Sequence, residues 1–204
     1  MRRVNMNLVW IGVIFSIAST FLLVKYYGEI LSGKQGHVFA LAALFLSIVS
    51  SLSLFVVYRQ WAILLNENTL NTKKLAESYG IDLKGIPLVP NWTYFAFVLF
   101  WFLSFLFPEV WLFSLLQVVF FVTFLHFLFE AARHLQEEKA RLYRTLFDVE
   151  FRPIIKERNV LSVLLLTLIT LGVYWLYLIV ELSKEINEFL DADERTMKNL
   201  EVKL

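Results

Sequence analysis

The sequence predicts an all-α, polytopic helical membrane protein, with five transmembrane helices and helical extensions beyond the bilayer. Three observations predict it. Hydrophobic residues make up 58% of the 204 positions, more than the roughly half that is usual in soluble domains. Charged residues are only 18% and are clustered between long uncharged runs. Five of those runs approach the ~20 apolar residues that a helix needs to span the hydrocarbon core. Each must be helical, because unpaired backbone groups in lipid are too costly to leave open.

The first span is residues 8–24. Its basic start, "MRRVNMNLVW", has the look of a secretory signal, but no small-x-small cleavage site follows the apolar run, which continues to Val24. It is therefore expected to stay as an uncleaved span. The second span, 38–58, runs on without proline into a charged amphipathic segment, 59–79, which Gly80 ends in the manner of a helix C-cap. The third span, 92–107, is slightly short, and Pro90 and Trp92 begin it within the interface.

"LFPEVW" then separates the third span from the fourth, 110–129. The two uncharged runs together hold about 36 residues, too many for one crossing. Pro108 lacks a backbone donor and pushes Phe107 out of the helical region, so a hairpin tip is expected there, with Glu109 solvated. The fourth span continues into the extension 130–147. No Pro or Gly occurs between Val110 and Phe151, so one unbroken helix is expected through at least Leu146. Ala131, Leu135, Leu142 and Leu146 form an apolar stripe on it, and Glu137 and Arg141 an i,i+4 pair.

The fifth span is 160–180. Thr167, Thr170 and Gly172 put small groups on a bulky helix, which favours close packing in lipid, and Gly172 before Tyr174 and Trp175 marks a kink. The extension 181–201 carries an apolar face of Leu182, Ile186, Phe189, Leu190, Met197 and Leu200, broken once by Asp193. The three extensions read as helices on the membrane surface or packed on one another, or as a bundle that forms an oligomer interface.

Lys and Arg set the orientation. The amino terminus, segment 59–91 and segment 130–158 together hold thirteen of the 19 such residues, including Arg2, Arg3, Lys84 and Arg158. Lys25, Lys34, Lys184, Arg195, Lys198 and Lys203 make up the rest. A multi-pass protein of the cell membrane with a cytoplasmic amino terminus is expected, and five full crossings put the tail 181–204 outside. With no cysteine, disulfides, thiolate metal sites and cysteine nucleophiles are excluded. A net charge of +1 gives no reason to expect a nucleic-acid partner.

Among residues that could carry chemistry, His126, Glu130 and His134 stand out. Their i, i+4, i+8 spacing places them along one face of the fourth helix and its extension. Imidazole and carboxylate suit Zn, Fe or Mn. The three cover about 12 Å of axis, so one ion takes at most two of them. A polar residue within a span must face protein or a wet cavity, and His126 is expected to hydrogen-bond to a Ser, a Thr or a carbonyl of a neighbouring helix. His37 and His126 lie at opposite depths and cannot clamp one haem. The loop "GIDLKGIPLVPNW" has no phosphate-cradling pattern, and no Ser-His-Asp set can be assembled. No cofactor is expected.

In "RNVLSVLLLTLITLGVYWLYLIVELSKEINEF" the chain resembles an uncharacterised family of prokaryotic membrane proteins. The family pattern is a basic residue, an aliphatic run, "iTlGiYxlYxlY", and a charged "keiNeh" helix. Arg158, "LITLGVYWLYLI" and "KEINEF" match it, over about residues 152–194. Phe189 stands where the family often has His. The resemblance implies a domain of unknown function and brings no activity.

Three functions compete on these grounds. The first is a non-enzymatic scaffold whose partners are the bilayer and, through the extra-membrane helices, a protein or a second copy. The second is a small transporter or channel, for which Gln117 and His126 are the polar residues of the fourth span. The third is a metal-assisted membrane enzyme using the His126, Glu130 and His134 face.

Overall fold

Proline, glycine and short polar caps decide where the helices start and stop. The computed structural model describes residues 2–33, 36–83 and 85–201. Lys34, Lys84 and Lys203, which enter the charge distribution, lie outside the described residues, as does the side chain of Leu200. Six α-helices occur among the described residues, and no strand. They are α1 (Met6–Leu31), α2 (His37–Ser78), α3 (Asn91–Leu106), α4 (Trp111–Phe147), α5 (Val160–Ile169) and α6 (Val173–Glu201). α1, α2 and α4 are long and apolar enough to cross a membrane; α3 and α5 are shorter apolar helices.

The chain forms two compact units, one of residues 5–58 and one of residues 1–4 with 59–204. In the smaller unit, Asn5 caps α1 by accepting from the Asn7 amide. α1 and the first half of α2 approach closely where Gly12 meets Leu54; a Cβ on Gly12 would overlap that leucine. Ser50 donates to the Gly12 carbonyl at 2.7 Å and Ser19 to the Ala43 carbonyl at 2.8 Å. Small residues and hydroxyl-to-carbonyl bonds are the means by which helices associate where no hydrophobic drive exists.

In the larger unit, α3 and α4 form the expected hairpin. Pro108 and Glu109 occupy the turn, and Glu109 is exposed. Aromatic rings fill the contact: Phe97 on Phe121 at 4.7 Å and Phe100 on Phe120 at 5.2 Å. α2 and α4 each run unbroken from their apolar halves into their charged halves, with 42 and 37 residues. α4 stops at Asp148, which adopts φ 52.

The fifth segment differs from expectation. Where a single helix over 160–180 is expected, the chain ends α5 at Ile169 and starts α6 at Val173. Leu171 and Gly172 take φ 51 and 90. The Gly172 amide donates to the Thr167 carbonyl and the Leu171 amide to that of Leu168, the paired bonds of a Schellman cap. The break reverses the chain, because Arg158 before α5 pairs with Glu185 well along α6.

α6 packs on the charged halves of α2 and α4. Trp61 on α2 donates to Ser183 Oγ at 3.0 Å. Of the expected apolar face, Leu182, Ile186, Phe189 and Leu190 are buried and Met197 is half-buried.

Candidate functional site

Polar residues from three helices converge inside the larger unit. Lys139 on α4 and Asp193 on α6 are 4% and 3% exposed and pair at 2.5 Å. Lys139 Nζ also donates to Asn68 Oδ1 on α2 at 2.6 Å. Asn68 Nδ2 donates to Asp193 Oδ2 at 3.0 Å, and the Tyr143 hydroxyl donates to Asp193 Oδ1 at 2.6 Å. The Phe189 ring centre lies 5.3 Å from the ammonium. Burial pushes Lys139 down to about 8 from an ordinary 10.5, against the pull of Asp193. Burial and then the Asp193 charge push the Tyr143 phenol up.

The sequence carries the signal for this cluster. Asp193 breaks the apolar stripe of the tail, and Lys139 sits in the gap between Leu135 and Leu142 on the other stripe. Each charge interrupts its own helix's apolar face because it meets the other. A lysine lowered toward neutrality can act as a base or nucleophile. Here the ammonium is held by Asp193 and Asn68, and Lys139 lines neither of two surface grooves. The arrangement cross-braces three helices.

Around this centre, amide side chains hold passing stretches of extended chain. Gln136 Oε1 accepts from the Ile154 and Ile155 amides, both at 2.7 Å, and its Nε2 donates to the Ile155 carbonyl at 2.9 Å. Asn66 exchanges bonds of 2.8 and 2.9 Å with the amide and carbonyl of Val89. Asn187 does the same for Val4, at 2.7 and 3.1 Å. Each amide offers one donor and one acceptor to the backbone, as the edge of a strand would. Arg3 adds bonds to Asp191 at 2.6 Å and Glu194 at 2.8 Å.

Arg158 meets Glu185 as a fork, at 2.6 and 2.8 Å, with 9% and 6% exposure. Bidentate geometry of this kind gives both strength and direction. The Lys156 ammonium reaches Glu181 at 3.2 Å.

The expected metal-ligating residues are only partly brought together. His126 Nε2 and Glu130 Oε2 are 3.9 Å apart, while His134 turns to Glu137 at 3.6 Å. Among the described residues, no three His, Asp or Glu gather as a metal site. Among the described residues, the cross-helix hydrogen bond expected of His126 is not formed. His126 is 57% exposed and opens onto a groove of about 440 Å³ with Glu130, Arg133 and Lys156. The segment before α5, not a neighbouring apolar helix, lies across from it. Gln117 on α4 accepts from Ser104 of α3 at 3.1 Å, so this polar residue serves the hairpin contact.

Residues 158–203 match a family described as a domain of unknown function, DUF4234. No curated protein and no solved structure matches the chain. The matched stretch begins at Arg158 and covers the α5–α6 pair. The family resemblance read from "LITLGVYWLYLI" and "KEINEF" is thus shown over part of the chain, and the structure gives its letters roles. Arg158 and Glu185 close the base of the pair, Gly172 turns it, and Asn187 holds Val4.

Proposed function

We propose that this chain is a non-catalytic integral membrane protein whose charged helices form a rigid cytoplasmic platform for a protein partner or a second copy. The supporting observation is the Lys139–Asp193–Asn68 junction. It ties the charged halves of α2, α4 and α6 into one body, and the Asn187 and Gln136 clamps add the amino terminus and the 154–155 strap to it. Polar groups spent on internal joints build a fixed surface. The excess of Lys and Arg in segments 1–7, 59–91 and 130–158 supports the cytoplasmic side.

Photo-crosslinking residues placed at Leu70 and Tyr79, both exposed on α2 and at its end, test this in native membranes. A discrete adduct at twice the chain's 24.0 kDa marks a second copy, and a discrete adduct of another mass marks a partner. Adducts to lipid alone at both positions would overturn the platform.

A further inference from the structure

We infer that α5 and α6 form a re-entrant hairpin, which dips into the hydrocarbon of the leaflet nearest the charged bundle and leaves by the face it entered. This rests on the reading of the chain as an integral membrane protein.

Length is the first ground. α5 has 10 residues and measures about 15 Å, half of the ~30 Å hydrocarbon core. The second ground is closure at the base. One unbroken helix from residue 158 to 185 would hold its ends about 40 Å apart. Instead the Arg158 guanidinium and the Glu185 carboxylate meet at 2.6 Å. A full crossing would also carry Asn187 and Asp193 away from Val4 and Lys139, to which they are bonded.

The third ground is the distribution of polarity. The base holds Lys156, Arg158, Glu181 and Glu185. From Val160 to Val180 the sequence has no charged residue. At the tip, Leu171 is 92% exposed and Ile169 74%. Apolar patches of this kind on a soluble surface mark a contact site. Here the tip is contiguous with the membrane-facing part of α4: Trp175 packs edge-on against Phe121 at 5.0 Å. Phe121 lies about 12 Å along α4 from Phe129, where the uncharged run ends. That contact sets the depth of the tip within the near leaflet.

The fourth ground is the backbone. A bend in lipid is tolerated only where its polar groups are satisfied. Seven consecutive amides, from Thr170 to Leu176, all have acceptors within the pair. Thr170 supplies one of them, its Oγ1 accepting from the Tyr174 amide at 2.9 Å. The amides of the corner thus need no water. Leucine rather than glycine occupies the first left-handed position, although that conformation disfavours it, and it adds an apolar side chain where the hairpin reaches furthest.

The natural chain has no cysteine, so single cysteines report cleanly. Full-length variants Lys74→Cys, Glu109→Cys, Val118→Cys, Leu171→Cys and Glu188→Cys are treated with a membrane-impermeant maleimide, from outside intact cells and again after the inner face is opened. Glu188→Cys is expected to label with Lys74→Cys and not with Glu109→Cys. Leu171→Cys is expected to stay unlabelled from both faces until detergent is added. Ile169→Cys serves as a second tip variant should Leu171→Cys fail to accumulate. Glu188→Cys labelling with Glu109→Cys means a full crossing and overturns the hairpin. Leu171→Cys and Ile169→Cys labelling from the water, with Val118→Cys protected, means a hairpin outside the bilayer and also overturns it, leaving the platform standing. Labelling of Val118→Cys as well removes the membrane reading, and both proposals with it.

Discussion

Lys139 and Asp193 sit out of water on two different helices, and deleting one side chain leaves the other charged and unpaired. Breaking a buried pair from one side costs about 3–5 kcal/mol, whereas replacing both partners with apolar residues is often neutral. Lys139→Met is therefore expected to lose about that much in denaturant unfolding of the detergent-solubilised protein, and Lys139→Met with Asp193→Leu to recover most of it. A double variant as damaged as the single one would mean that the charges matter beyond their mutual neutralisation. The same pair predicts a pH dependence. Lys139 is held down at about 8, against 10.5 in the open. Between those values the unfolded chain keeps a proton that the folded chain has released. Stability contributed by this group is thus level below about pH 8 and rises as pH climbs toward 10.5. The stability of the wild type relative to the double variant should increase between pH 8 and pH 10; a constant difference would contradict the assignment.

At the scale of elements, the α5–α6 corner depends on backbone conformation more than on contacts. A Cβ on Gly172 would meet nothing within 4 Å, but φ there is +90°. Gly172→Ala should therefore cost about 1–2 kcal/mol through strain alone, read as a lowered thermal midpoint with no loss of helix in circular dichroism. The helices themselves were legible in sequence. Pro108 announced the hairpin, the absence of Pro and Gly gave the full length of α4, and the stripes on α4 and α6 gave the faces that pack. The reversal at Leu171 was not legible as such. A 21-residue uncharged run from Val160 to Val180 satisfies the composition of a span whether it is straight or doubled back. What decides between the two is Glu185, a residue whose pairing with Arg158 no local periodicity reports. The candidate site was half visible for a similar reason. Asp193 was noticed as a fault in a stripe, Lys139 was passed over in another, and nothing short of the packed bundle shows that the two meet. His126 drew notice because it is a histidine within an apolar run, yet it faces outward into an open groove.

For the molecule as a whole, the larger unit is closed by its two ends. Asn187→Ala removes both bonds to Val4 and leaves the Val4 amide and carbonyl without partners, a change worth about 1–3 kcal/mol. It should also free Arg2 and Arg3 for trypsin at enzyme levels that leave the wild-type amino terminus intact. An unchanged cleavage rate would show that the Arg3 ion pairs alone hold the terminus. The bonds of Val4 and Asn187 also impose an order in time. At about 5–20 residues per second, the ribosome needs about 10–40 s to reach Asn187 after making Val4. In the last part of that interval, once α4 has been made through Phe147, Lys139 still lacks the Asp193 carboxylate with which it pairs in the finished chain. A nascent chain released before Asp193 keeps a naked ammonium where its interior should close. Complete translation is thus what neutralises the bundle, since the carboxylates that meet Lys139, Arg158 and Arg3 all lie in α6.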